Sequence, residues 1–265
     1  MLTVNKFKIM KETLLVCSKS TRKYLPEYER VFMVSGSPKK ELLQLEGTED
    51  NVVAIGGGAV IDTAKILAKD GIICYPTTAA GSSATSHSVC WDGDKKMSIY
   101  RTTPKEVRIE QRFVDELPEK VKEYTTYDVI SHCLDGLWSK NRTKESEQYA
   151  HQALSILKGE YTNSQLIEAG NLGGKAIQIC PTTILHAISY PLTGIYGVPH
   201  GKALGYLLPR VCNYFNFDLS GYYDYSPVEL TDVDWDLVRE ESLKYDKIYN
   251  VTKPVDNDIL IDILS

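Results

Sequence analysis

The chain has 265 residues, 43% of them hydrophobic and 25% charged, enough to bury one large core or two ordinary ones. Its 30 Lys and Arg against 35 Asp and Glu give a net charge of −5. That balance argues against a nucleic-acid or anionic-membrane partner, because neither would gain from counterion release or a basic patch. No apolar run reaches the length of a membrane span, and the first ten residues lack the apolar stretch and cleavage site of a signal peptide. Six cysteines without a CxxC pair read as reduced, buried thiols, so a cytoplasmic location is expected.

In chain order, Leu14–Cys17 and Val31–Val34 are compact apolar runs followed by Ser, Gly or Pro, and read as strands. Asn51–Ile55 is a third, running straight into Gly56, Gly57 and Gly58. From Ala59 the spacing turns helical, with Ile61, Ala64, Ile66, Leu67 and Ala68 on one stripe. Gly71–Tyr75 reads as a fourth strand ended by Pro76. Val89–Trp91 and Met97–Tyr100 flank an Asp-Gly-Asp-Lys turn and predict a hairpin. Strands alternating with helices imply a mainly parallel sheet. Beyond Pro118 the period becomes helical throughout: 127–139, 146–159, 165–178, 182–192 and 201–215. The expected organisation is therefore an α/β domain over 1–118 and an all-helical domain over 119–265. The stretch from Tyr222, dense in Asp, Glu and Tyr, reads as a solvated helical face with a trailing end.

Two features suggest chemistry. The strand–glycine–helix junction at Gly56–Gly58 lets backbone approach a diphosphate, with free N–H groups and the positive end of the helix dipole facing it. A tight turn without a ligand is the plain alternative. The loop Pro76–Ser83, rich in Thr, Ser and Gly, follows the next strand and would share the same sheet edge. The histidines are more specific. Asp128 and His132 are four apart, so both leave one helix on the same side. His186 lies on a later helix, and His200 follows Pro199 at the first turn of another. One carboxylate and three imidazoles from three helices would form an N/O metal site of Fe(II) or Zn type. Taken singly, a surface ion pair or a core histidine explains each as well, and His87 and His151 are read that way.

Four collinear motifs carry a resemblance. Gly56–Lys65 resembles the Gly-Gly-Gly-Ser-x-x-Asp-x-Ala-Lys signature of the iron-containing alcohol dehydrogenases, and that family's Pro-Thr-Thr loop follows at Pro76–Thr78. Its Asp-x-x-x-His motif matches Asp128–His132, and its His-x13-His pair matches His186 and His200, the latter within Pro199-His200-Gly201. The similarity runs from about Leu14 to Phe215 and is shared with the dehydroquinate synthase-like architecture: a Rossmann-like sheet domain, then a helical one.

The resemblance implies an NAD(P)H-dependent oxidoreductase interconverting a small aldehyde or ketone and an alcohol. The metal, held by Asp128, His132, His186 and His200, would polarise the carbonyl while nicotinamide C4 delivers hydride. Four protein ligands favour a metal tolerant of a fifth, Fe(II) over Zn(II). Implied cofactor-binding residues are Ser18, Gly56, Gly57, Gly58, Ala59, Asp62, Thr77, Thr78, Ser82, Ser83 and Lys96. Tyr190 stands where many members carry a second histidine for proton relay, and a role in proton transfer is expected of it. The loop Ala80–Ala84 departs from the family's Gly-Thr-Gly-Ser-Glu, and the chain is shorter than typical members, which suggests a homodimer to cover the cleft. After the first strand, Ser18 replaces the acid that binds the adenosine ribose, and Lys19, Arg22 and Lys23 follow, which favours NADPH over NADH. Within the family, Val89–Ile99, Leu137–Asn141 and His186–Thr193 look most like the branch that reduces phosphonoacetaldehyde. Lys140, Arg142, Lys175 and Lys202 are candidate partners for its phosphonate. A plain short-chain aldehyde, a glycerol-phosphate dehydrogenase, a dehydroquinate synthase-like lyase and a non-catalytic nucleotide binder are the alternatives.

Overall fold

The computed structural model describes residues 12–25, 27–93, 95–222 and 228–264. The N-terminal stretch examined for a signal, and Asp94 of the hairpin turn, lie outside them. The elements are β1 (Leu14–Ser18), α1 (Lys19–Arg22), β2 (Val31–Val34), β3 (Val52–Gly56), α2 (Gly58–Leu67) and β4 (Ile73–Pro76). There follow β5 (His87–Asp92), β6 (Lys95–Tyr100), β7 (Glu106–Val107), α3 (Gln111–Val114), α4 (Glu119–Trp138), α5 (Lys144–Leu157) and α6 (Asn163–Ile179). The chain ends in α7 (Ile184–Gly194), α8 (His200–Phe215), α9 (Trp235–Leu243) and α10 (Asn257–Leu264).

Five strands form a parallel sheet in the order β2-β1-β3-β4-β7. Period-two alternation distributes its side chains between two apolar layers. Leu14, Val16, Val52 and Ala54 pack with Val60, Ile61 and Ala64 of α2. Leu15, Cys17, Val53 and Ile55 pack with Tyr75 and Phe113 on the other face. Burial on both faces explains why β1 and β3 read as unbroken apolar runs. Pro76 is the last residue of β4 rather than its terminator; its missing donor costs least at the strand end. The antiparallel pair β5–β6 stands as a separate two-stranded sheet. It is tied to α2 by Lys65, buried in the helix, whose Nζ donates to the carbonyls of Ser82, Thr85 and His87. Among the described residues, every strand lies ahead of residue 108, and helices supply the rest.

The helical part has its own core, in which α4 packs against α5, α6 and α8. The stretch read as solvated and trailing contributes to it: Val238, Ile248, Val251, Leu260 and Leu264 are buried. The sequence signal was masked by the acids on the opposite faces of these short helices. One close approach shapes the site. A Cβ on Gly201, in the first turn of α8, would collide with the Tyr124 carbonyl of α4. Only glycine lets α8 begin that near α4.

Candidate functional site

Helix α4 buries a polar stripe at Asp128, Ser131, His132 and Asp135, the i, i+3, i+4, i+7 positions of one face. The start of α7 brings His186 to it, and the start of α8 brings His200. The Nε2 atoms of His132, His186 and His200 stand 3.5, 3.5 and 3.6 Å from Asp128 Oδ1. The ligand atoms of Asp128, His132 and His186 all lie within 4.8 Å of one another. The His132 and His186 rings stack at 4.8 Å, and His186 and His200 are 5.3 Å apart.

These separations are too long for hydrogen bonds. They match the edge of about 3.4 Å expected of four atoms bonded at about 2.1 Å to a common tetrahedral ion. Asp128 Oδ1 and His186 Nε2 are buried with no hydrogen-bond partner among the described residues. Orphaned groups facing a common centre are what a cation would satisfy. The residues therefore fit a divalent transition metal.

The electrostatics agree. Burial opposes ionisation of Asp128, but His132, His186 and His200 hold its carboxyl well below the usual range. Burial pushes His186 down, and the carboxylates of Asp128 and Asp135 outweigh it, lifting it to about 9. Burial lowers His132 to about 4 despite Asp128. The pattern is of a site whose carboxylates favour positive charge at its centre.

Asp135, which sequence reasoning passed over, fixes His186. Its Oδ2 accepts from His186 Nδ1 at 2.8 Å and from the His186 backbone N–H at 3.3 Å. Its Oδ1 accepts from Thr183 Oγ1 at 2.9 Å and the Leu185 N–H at 3.0 Å. One carboxylate thus caps α7 and holds the Nδ1–H tautomer, leaving the Nε2 lone pair toward the centre. The signal that would have found it is its i+7 spacing from Asp128.

Two clefts meet here. One, of about 480 Å³, lies across the strand ends, lined by Ser18, Thr21, Lys23, Gly57, Thr77 and Thr78 among others. It sits at the point where the strand order reverses, between β1 and β3. The other, of about 450 Å³, contains Asp128, His132, His186, His200, Tyr190, Asp62, Ser82 and Lys96. Gly58 and Ala59 line both, so the clefts adjoin at the start of α2.

Several expected residues have other placements. Gly56 lines neither cleft, and its lack of a side chain admits Val60 of α2. Ser83 is buried and faces Asn171 Oδ1 at 3.3 Å. Asp62 faces Lys65 at 3.2 Å as a buried pair. Lys96 lies in the cleft of the quartet, not the strand-end one. Arg22 is committed to the carbonyls of Leu25 and Tyr28, Lys23 pairs with Glu116, and Lys19 lines neither cleft. The basic residues proposed for a phosphonate are all elsewhere. Lys140 donates to the Tyr249 carbonyl, Arg142 pairs with Glu147, Lys175 lies over Tyr149, and Lys202 does not line the cleft. Sequence pattern alone could not show which way these side chains turn. The lysines that do enter the cleft are Lys96 and Lys247, the latter donating to the Tyr190 hydroxyl at 2.9 Å. Burial raises the Tyr190 phenol, but Lys96, Lys247 and His186 outweigh it and bring it down to about 6.

Residues 122–220 match the model of the Fe-containing alcohol dehydrogenase family, C-terminal. The phosphonoacetaldehyde reductase of Streptomyces viridochromogenes is 28% identical over 209 residues, covering 62% of this chain and 53% of that protein. The chain spans about half the length of the curated relatives it matches. An iron-containing alcohol dehydrogenase from Thermotoga maritima superposes with a TM-score of 0.77 at 23% identity, over 95% of this chain and 90% of that one. A sulfoacetaldehyde reductase from Bifidobacterium kashiwanohense, solved with NAD+, gives 0.78 at 22% identity, over 96% and 90%. The helical part is thus similar in sequence to the Fe-containing alcohol dehydrogenase family, C-terminal, and the fold along the chain is the one seen in iron-containing alcohol dehydrogenases.

Proposed function

We propose that the protein is a metal-dependent, nicotinamide-linked oxidoreductase interconverting a small aldehyde and its alcohol. The observation that carries this is the buried quartet of Asp128, His132, His186 and His200 in a cleft that shares Gly58 and Ala59 with the strand-end cleft. A nicotinamide dinucleotide held in the strand-end cleft would supply hydride, and a metal held by the quartet would supply Lewis acidity toward the carbonyl.

The chain's own residues do the rest. Gly57 and Gly58 offer backbone N–H groups at the N-terminus of α2 to a diphosphate, with Thr77 and Thr78 on the facing wall. Asp135 orients His186, and Gly81 lies against the His132 ring. Tyr190, lining the metal cleft with its hydroxyl held by Lys247, is assigned the handling of the proton that accompanies hydride transfer. Fe(II) is preferred over Zn(II) because substrate would join four protein ligands. NADPH is preferred over NADH because Ser18, not a carboxylate, ends β1, with Lys23 in the same cleft. A homodimer is part of this reading, and light scattering of the purified protein tests it.

The experiment is to follow oxidation of NADH and NADPH against a panel of short aldehydes, with Fe(II) or Zn(II) supplied to the purified protein. Aldehyde-dependent oxidation that stops on chelation is the expected result. No turnover with any aldehyde, coenzyme and metal would overturn the reading.

A further inference from the structure

Two ammonium groups enter the metal cleft from distant parts of the sequence. Lys96 comes from β6, and Lys247 from the 3-10 turn Asp246–Tyr249. Their Nζ atoms stand 4.1 and 4.7 Å from the centre of the Tyr190 ring. Lys247 also donates to the Tyr190 hydroxyl at 2.9 Å and to Thr182 Oγ1 at 2.8 Å.

Neither lysine has an ion-pair partner among the described residues. The cleft's two carboxylates make no ion pair with either lysine, although Lys96 acts on Asp62 at longer range. Asp62 faces Lys65 at 3.2 Å, and Asp128 sits among the three histidines. With a divalent cation in the quartet the cleft is strongly positive. Contact with the Tyr190 ring eases two neighbouring ammonium groups, and its phenol, once ionised, offsets only one of their two charges. An anion neutralises them, and the hydroxyls of Thr182, Thr193 and Ser98 line the same cleft as further donors.

The spacing restricts the anion's size. The Tyr190 ring centre is 6.3 Å from that of His186 and 6.4 Å from that of His200. The metal ligands and both ammonium groups therefore neighbour a single tyrosine, which suits a short substrate.

We propose that Lys96 and Lys247 form an anion subsite, so that the substrate is a short aldehyde, or the matching alcohol, ending in a phosphonate, sulfonate or carboxylate. This rests on the oxidoreductase reading above. In the reductive direction the carbonyl carbon gains hydride from the nicotinamide, its oxygen gains a proton, the nicotinamide is oxidised, and the terminal anion is unchanged.

Calorimetric titration of the metal-loaded protein with 2-hydroxyethylphosphonate, 2-hydroxyethylsulfonate, 3-hydroxypropionate and 1-propanol tests the subsite without turnover. At least one anionic alcohol should bind about ten- to a hundredfold more tightly than 1-propanol, the worth of one or two charge-assisted hydrogen bonds. The ranking of the three anions identifies the terminal group. Lys247→Gln and Lys96→Gln should each remove most of that advantage, and Lys247→Arg should restore part of it. In turnover, the kcat/KM ratio of the anionic aldehyde to propionaldehyde should fall in the same variants, and melting curves check that each is folded. Equal binding of 1-propanol and all three anions would overturn the subsite. So would variants that weaken only NADH or NADPH binding, since the lysines would then serve the coenzyme. Failure to turn over any aldehyde would sink the oxidoreductase reading, whereas lysine-dependent anion binding would still stand.

Discussion

Replacing Asp135 by Asn tests how His186 is oriented for the proposed metal. The carboxylate accepts four hydrogen bonds, from Thr183 Oγ1, the Leu185 N–H, the His186 N–H and His186 Nδ1. Asparagine has nearly the same shape but only one acceptor oxygen. With that oxygen toward Thr183 and Leu185, its amide would face the two donors of His186, donor against donor. The imidazole relieves the clash by moving its proton to Nε2, the nitrogen 3.5 Å from Asp128 Oδ1. That nitrogen then has no lone pair for a metal. Loss of such an orienting partner typically costs about 10- to 100-fold in metal affinity. Unmatched buried donors at the start of α7 should separately cost the metal-free protein about 1–3 kcal/mol. Competitive chelator titration measures the first effect, and urea unfolding of the metal-free protein the second. Wild-type metal affinity in Asp135→Asn would refute the argument, because His186 would then not depend on Asp135 for its tautomer.

Other perturbations follow from the same geometry. Lys65→Met strands the buried Asp62 carboxylate and releases the loop carbonyls of Ser82, Thr85 and His87; an unfolding free energy lower by about 3–5 kcal/mol is expected from denaturant titration. Gly174→Ala puts a methyl group 2.5 Å from the Gly81 carbonyl oxygen and 2.9 Å from Ala84 Cβ, so a loss of about 1–3 kcal/mol is expected, with weaker metal binding because Gly81 lies against His132. Chelation should lower the melting temperature as well as stop turnover, since a ligand at a thousand times its Kd stabilises by about 4 kcal/mol. Glu116→Gln removes the acid paired with Lys23 at the strand-end cleft and should raise the NADPH-to-NADH ratio of kcat/KM.

Much of this architecture was legible in the residues. The unbroken apolar runs of β1 and β3, the glycines between β3 and α2, and the period change after Pro118 all correspond to observed elements. The quartet was legible because Asp128 and His132 share a helix face, and because Pro199 and Gly201 mark the helix start that carries His200. What escaped depended on contacts across the chain. Asp135 looks like any helix acid until α7 docks its first turn on it. Lys247 lies in an acidic stretch whose local pattern suggests solvent, and long-range packing of Ile248 and Val251 brings it inward. The two-residue strand β7 is too short to show alternation.

The central claim is that four side chains hold one metal ion. Anomalous diffraction from crystals of metal-loaded protein, recorded at the iron and zinc absorption edges, tests it most directly. One peak per chain is predicted, about 2.0–2.2 Å from an Asp128 oxygen and from Nε2 of His132, His186 and His200. A peak bound by other residues, or none at the quartet under saturating metal, would contradict the account.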